Sequence, residues 1–237
     1  MASTAGGLHS AAEHLRAFMS SRCVLCLARG AGGGLCEPCR ADIPALDKMR
    51  CPVCSLPSPG SVPCGRCLAH PPSYDSVCAA GPWDFPFSSL VPALKYGHQL
   101  AIAPVLAHLL ATRVLGEAVP DLIAPMPLSV PRLRARGFNH ALEIARTMPS
   151  RFAHRIVSAV LVRQRDTAPQ AGLPLDDRRG NVRGAFRCSG TVANLNIVIL
   201  DDVMTTGATM DEAAKVLKAA GAASVRGWVI ARTLLRD

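Results

Sequence analysis

Residues 196–209 read N-I-V-I-L-D-D-V-M-T-T-G-A-T and bring together acids, hydroxyls and a glycine in one short span. Thr205, Thr206, Gly207, Ala208 and Thr209 have the makings of an anion site. The glycine lets backbone approach a phosphate closely, and the threonine hydroxyls can donate to its oxygens. Asp201 and Asp202, immediately upstream, can accept hydrogen bonds from the vicinal hydroxyls of a ribose held a few ångströms from its 5′-phosphate. Such a stretch is a diol reader beside a phosphate cradle. A strand-end acidic pair followed by an ordinary Thr N-cap would explain a fragment such as D-D-V but not the whole run.

These side chains need a strand and a helix to place them. Ile197 to Leu200 form an apolar, β-branched run expected of a strand buried on both faces of a parallel sheet, and Met210 to Ala220 follow with helical periodicity. On this reading the acids leave the strand just before the turn, and the turn sits at the carboxyl edge of the sheet. Ligands of open α/β sheets bind there, where a helix N-terminus offers unpaired N–H groups and the positive end of its dipole. The stretch resembles the signature of type I phosphoribosyltransferases, whose substrate is 5-phosphoribosyl-1-diphosphate (PRPP), with every position filled. Asp121 to Ala124 read as a further short strand, after which Pro125-Met126-Pro127 imposes an extended turn that exposes backbone N–H groups. Alone this is an ordinary loop; by the same resemblance it occupies the position that receives diphosphate.

Cysteines form the second array. Cys23, Cys26, Cys36 and Cys39 follow C-x2-C-x9-C-x2-C, and Cys51, Cys54, Cys64 and Cys67 repeat that spacing, an internal duplication. Each pair presents two thiolates from one tight turn, as tetrahedral zinc requires, so two Zn2+ sites are expected. Four thiolates leave no coordination position for water, which makes the sites structural. Sequential pairing is the favoured arrangement; interleaving of the first and third pairs, a disulfide framework and a labile iron–sulfur cluster are the alternatives. Val24, Leu25, Leu27, Leu35, Ile43, Leu46 and Met49 are too few apolar residues to hold such a segment without a metal staple. Cys78 and Cys188 fall outside the scheme and read as core or surface thiols.

The 237 residues allow a small metal module plus one domain of ordinary size. A leader or N-terminal helix is expected over 1–20, a double zinc ribbon over 21–70 and an α/β domain over 71–237, with His70-Pro71-Pro72 at the boundary. An entry strand is expected over Tyr74 to Ala80 and an amphipathic or buried helix over Ile102 to Leu115. No apolar run reaches the length of a membrane span and the first twenty residues lack a signal-like core, so a reduced cytoplasmic setting without membrane insertion is expected. No Walker A or G-x-G-x-x-G pattern occurs, which removes an ATP motor or a dehydrogenase from consideration unless a partner supplies one.

From Arg132 through Arg187 there are twelve arginines, no lysines and four acids, a net +8 in a chain of net +9. The planar guanidinium grips phosphate oxygens in pairs and stays charged, so this tract suits a diphosphate or a nucleic acid. Arg146, Arg151 and Arg155 read as solvated helix surface, whereas Arg132, Arg134 and Arg136, directly after the Pro loop, read as phosphate contacts.

R-L-R-A-R-G-F-N-H-A (Arg132 to Ala141), R-D-T-A-P-Q-A-G-L (Arg165 to Leu173), R-R-G-N-V-R-G-A-F (Arg178 to Phe186), Lys95-Tyr96-Gly97 and the strand at Arg226 to Arg232 together resemble the ComF family over nearly the whole chain. One departure is His140, where the family usually has Gln. The resemblance implies an α/β type I phosphoribosyltransferase-like parallel sheet with flanking helices behind a double zinc ribbon, and a role in DNA uptake during natural competence. It also implies that Arg165 to Phe186 form a mobile loop closing over Mg2+-PRPP, with Gln170, Arg179 and Arg183 as loop candidates and Asp201 and Asp202 at the reacting sugar. Two functions then compete: phosphoribosyl transfer to an acceptor the sequence does not identify, and PRPP-regulated handling of single-stranded DNA beside a helicase-type translocator. The low aromatic content, 4%, argues against an extensive base-stacking platform in the second.

Overall fold

The computed structural model describes residues 22–29, 34–46, 48–166 and 177–234. In chain order the elements are α1 (Glu37–Ala41), α2 (Gly65–Ala69), β1 (Ser76–Pro82), α3 (Phe87–Lys95), α4 (Ala103–Arg113), β2 (Leu122–Pro125), α5 (Val130–Arg136), α6 (His140–Arg146), α7 (Ser150–Ala153), β3 (Leu161–Arg163), α8 (Asp177–Val182), β4 (Phe186–Cys188), β5 (Asn196–Met204), α9 (Ala208–Ala219) and β6 (Ser224–Arg232). Four strands form a parallel sheet in the order β1-β6-β5-β2, while β3 and β4 pair antiparallel as a separate ribbon. The expected α/β parallel sheet with flanking helices is the architecture found. Among the described residues no helix is long and apolar enough to cross a membrane.

The apolar runs of β5 and β6 place them at the centre. Ile197, Val198, Ile199 and Leu200 are fully buried, as are Trp228, Val229, Ile230 and Ala231 on the neighbouring strand. Helices α4 and α6 pack together near one part of the sheet, and α9 packs against β5, β6 and the β4 ribbon. The Trp228 indole is enclosed, meets the Phe152 ring edge-on at 5.2 Å, and donates through Nε1 to Glu117 at 3.0 Å, so burial leaves no unpaired N–H.

Register creates the opening that matters. β2 pairs with β5 only from Leu122↔Ile197 to Pro125↔Leu200, whereas β6 continues along β5 to Met204↔Arg232. Beyond Leu200, β5 therefore has a strand on one side and open space on the other. The sequence reading had the acids leaving the strand at this point; instead both lie within β5, because pairing with β6 outlasts pairing with β2. The outer edge of β2 is covered by chain following α7, through Ile123 N to Arg155 O at 2.7 Å and Val157 N to Ile123 O at 2.9 Å.

Of the two forms expected for α4, amphipathic or buried, the structure has the buried one, and the first cysteine knuckle seats on the helix so closely that a Cβ on Gly34 would come within 2.4 Å of Val105 Cγ2. α3 went unread, although Phe87, Leu90, Val91 and Leu94 have the spacing of one buried helix face. Pro92 within it argues against a helix interior by removing a backbone donor.

Candidate functional site

The eight cysteines gather sequentially, as Cys23/Cys26/Cys36/Cys39 and Cys51/Cys54/Cys64/Cys67, with the sulfurs of each set within 4.8 Å of one another. Cys26 and Cys36 sulfurs lie 3.5 Å apart, and Cys54 and Cys64 sulfurs 3.6 Å. Tetrahedral zinc with Zn–S of 2.3 Å sets an S···S edge of about 3.8 Å, so both sets fit that ion. In the second, the Cys51 sulfur accepts from the N–H of Cys54 and of Cys64, at 3.5 and 3.3 Å. Burial would raise the Cys51 thiol, but these backbone donors bring it down to about 7, towards the thiolate that binds metal. The duplication is structural as well as sequential: Leu27 and Ser55, each following a second knuckle cysteine, both take φ of 62°, and α1 and α2 begin directly after Cys36 and Cys64.

The opening beside Asp201 is a cleft of about 360 Å³. It is lined by Asp201 and Asp202, by Met126, Pro127 and Leu128 of the Pro loop, by Arg132, Arg136 and Arg163, and by Lys95, Tyr96, His140 and Thr209. Lys95 arrives from the last turn of α3 and His140 from the first turn of α6. Asn139 caps α6 by accepting from the N–H of Ala141 and Leu142, and its amide nitrogen donates to the Met126 carbonyl at 3.0 Å. The G-F-N-H segment is thereby pinned to the Pro loop, which carries His140 into the cleft.

Lys95 Nζ stands 2.6 Å and His140 Nε2 2.5 Å from the same oxygen, Asp202 Oδ2. On the far side of the imidazole, Arg136 meets Nδ1 at 2.7 Å. An arginine only donates, so the Nδ1 lone pair receives it and Nε2 carries the proton that faces Asp202. Burial works to raise the Asp202 carboxyl, yet His140 and Lys95 beside it hold it well below the usual carboxylate range. Asp201 goes the other way, raised to about 7 by burial and then by the neighbouring Asp202 charge. Two adjacent acids are thus driven apart, one ionised and one poised near neutrality. Magnesium prefers oxygen ligands and keeps its waters, and here a lysine and a histidine already stand on Asp202 Oδ2. His140, Asp201 and Asp202 each offer a ligand atom within 4.8 Å of the others, but with Lys95 and His140 engaged on Asp202 Oδ2 the set is poorly suited to caging Mg2+ by itself.

A second, smaller cavity of about 20 Å³ adjoins Asp201 and is lined by Val203, Met204, Thr205, Gly207, Ala208, Thr209 and Met210. Gly207 precedes α9 with φ of 85°, a backbone conformation that favours glycine, and a Cβ there would press on the end of the Met204 side chain at 2.6 Å. Among the described residues neither Thr206 N nor Gly207 N donates to a backbone carbonyl.

Of the residues singled out from sequence, the large cleft gathers Asp201, Asp202, Met126, Pro127, Arg132, Arg136 and Thr209. The small cavity gathers Thr205, Gly207, Ala208 and Thr209. Thr206 is buried on the opposite side of the turn, against the second knuckle, and its hydroxyl accepts from Ala208 N at 3.3 Å. Pro125 is buried within β2 and lines neither space, and Arg183 is exposed outside both. Gln170 and the Arg179 side chain lie outside the described residues. Sequence reasoning did not assign a role to Lys95, Tyr96, His140 or Arg163; for His140, its departure from the family's Gln was the available signal.

A double zinc ribbon domain model matches residues 14–68, and a phosphoribosyl transferase domain model matches residues 134–234. DNA utilization protein YhgH of Escherichia coli O6:H1 is 38% identical over 209 residues, covering 85% of this chain and 91% of that protein. The YhgH protein of Salmonella typhi is 36% identical over 173 residues, 70% and 76% of the two chains. Competence protein F of Haemophilus influenzae is 31% identical over 229 residues, 91% and 98% of the two chains. A solved structure of the allosteric regulatory enzyme of purine biosynthesis aligns with 54% of this chain and 25% of its own at TM-score 0.34 and 21% identity, a likeness too slight to argue from.

Proposed function

The chain belongs to the ComF family, a double zinc ribbon joined to a phosphoribosyltransferase domain, and from that premise we propose that its cleft binds Mg2+-PRPP and transfers the phosphoribosyl group. The observation that carries this reading is convergence at the carboxyl edge of β2 and β5: the glycine-containing turn ahead of α9, two acids and three arginines line adjoining spaces. The 5′-phosphate sits against Thr205 to Thr209, with the first N–H groups of α9 and its dipole facing it. Asp201 and Asp202 face the ribose hydroxyls. The diphosphate lies along Met126, Pro127, Arg132, Arg136 and Arg163.

In the transfer, the bond between ribose C1 and the diphosphate oxygen breaks, and its electron pair leaves with the diphosphate. The acceptor atom forms the new bond to C1 and loses its proton. Arginines neutralise the charge growing on the leaving group, and Asp201, raised to about 7, is a suitable proton acceptor beside the sugar.

A second reading, single-stranded DNA handling next to a translocating helicase in the DNA-uptake apparatus, is favoured by the arginines the cleft does not use. Arg134, Arg165, Arg183 and Arg187 are exposed. The readings are compatible if PRPP occupancy regulates DNA contact.

Calorimetric titration of Mg2+-PRPP into zinc-replete protein tests the first reading without knowledge of the acceptor. Micromolar binding that Asp202→Asn abolishes is expected; no heat from folded, zinc-loaded wild type discards the phosphoribose site and leaves the DNA reading.

A further inference from the structure

The second zinc knuckle is built onto the back of the phosphate turn. Arg232, at the end of β6, is 1% exposed, and its guanidinium donates to the carbonyls of Cys54 at 2.9 Å, Met204 at 2.8 Å, Thr205, and Thr233 at 3.1 Å. Arg66, between the ligands Cys64 and Cys67, donates to the Thr206 carbonyl at 2.7 Å. Among the described residues no carboxylate stands within ion-pair distance of either arginine. A buried guanidinium remains charged and is costly without a counter-charge. The adjacent cysteine cluster supplies one, since four thiolates around Zn2+ carry a formal charge of about −2.

We propose that metal in the second centre, and not in the first, sets the geometry of the phosphate turn, with Arg66 and Arg232 as the positioning residues that connect them. In a trans peptide the C=O of one residue and the N–H of the next point in opposite directions. Drawing the Thr205 and Thr206 carbonyls to the knuckle side therefore turns the N–H groups of Thr206 and Gly207 away from it, towards the phosphate. It also accounts for Thr206 facing the knuckle. The duplication supplies an internal contrast: at the place equivalent to Arg66 the first knuckle has Pro38, which carries no such donor, and that knuckle seats on α4 through Gly34 instead. The ligand named here rests on the phosphoribose reading above; the coupling itself does not.

The test uses full-length, zinc-loaded protein and follows zinc content, amide exchange across 206–209, and affinity for ribose 5-phosphate and for Mg2+-diphosphate separately. Losing one charged donor to a single carbonyl should speed exchange in the turn and weaken ribose 5-phosphate by roughly tenfold each in Arg66→Ala. Both zinc ions and the diphosphate affinity should be retained, Arg66→Lys should recover part of the loss, and Arg40→Ala, on the first knuckle, should change nothing. Because a substitution beside metal ligands can cost the metal, Cys64→Ser and Cys26→Ser give a second comparison in which only Cys64→Ser should accelerate exchange in the turn. Unchanged exchange in Arg66→Ala, an equal loss of diphosphate affinity, or equal acceleration by the two cysteine variants would overturn the proposal. If wild type binds no ribose 5-phosphate, the phosphoribose reading falls while the exchange comparison still decides the coupling.

Discussion

Removing the Asp202 charge should cost both stability and ligand. Lys95 and Asp202 meet at 2.6 Å with side chains 19% and 6% exposed, and His140 adds a second contact to the same oxygen. Asp202→Asn keeps the shape and takes from the part-buried Lys95 the carboxylate it contacts, leaving only the more weakly coupled Asp201 nearby. Breaking a buried pair from one side costs about 3–5 kcal/mol, and the residual water at Lys95 favours the lower end. For a chain of this size about 3 kcal/mol lowers the melting temperature by roughly 6–12 °C. Lys95→Met alone leaves the carboxylate buried with only the His140 N–H, so it too should destabilise. The double variant Lys95→Met/Asp202→Asn removes both charges and should regain about 2 kcal/mol relative to the sum of the single losses. The assay is thermal unfolding of zinc-replete protein by near-ultraviolet circular dichroism. Since Asp202 is held below its usual range, its contribution is complete above about pH 4, the unfolded value, and fades as pH falls towards the folded one. Wild-type and Asp202→Asn melting temperatures should therefore converge in acid. Additive single losses, or an unchanged melting temperature in Asp202→Asn, would refute the reasoning.

Asp201, raised to about 7, binds a proton in the folded protein that it releases near pH 4 when unfolded, so its ionisation costs stability as pH rises between those values. Asp201→Asn should gain in melting temperature over wild type on going from pH 4 to pH 8, and should flatten the rise in Mg2+-PRPP affinity expected as wild type passes through pH 7; parallel pH profiles would remove this assignment. Cys26→Ser should leave about one equivalent of tightly bound zinc per chain by metal analysis, as each centre needs its own four thiolates; complete loss in that variant would show that the centres are not independent. If the exposed arginines carry single-stranded DNA, Arg134→Ala/Arg187→Ala should reduce the salt slope of binding by about 1.4, at about 0.7 per phosphate contact. A slope that does not move would place the DNA contact elsewhere.

The arginine tract shows where sequence reasoning lost resolution. Arg132, Arg134 and Arg136 were expected together at phosphate and Arg151 on a solvated surface, but Arg132, Arg136 and Arg163 line the cleft, Arg134 and Arg187 are exposed outside it, and Arg151 lies over the Phe152 ring at 4.3 Å. Charge density along a chain is local information, but the direction of each side chain is set by the element carrying it. The unread helix α3 had the larger consequence, because it delivers Lys95 to Asp202.

What the sequence determined by itself were features made of near neighbours. Cysteine spacing sufficed for the count of two four-thiolate sites because each pair sits on a tight turn, while which pairs share a site was left to the structure, and the Asp-Asp-x-x-Thr-Thr-Gly-Ala-Thr run sufficed to locate the turn because strand, turn and helix follow one another without a break. The tertiary structure alone decided what surrounds them. Lys95, His140 and Asp202 come from α3, α6 and β5, and meet because β2 ends at Pro125 while β5 runs on to Met204. Arg66 and Arg232 reach the turn from the second knuckle and from the end of β6. No spacing rule encodes such meetings, since the distance between those residues depends on strand register and on how two separately built parts pack.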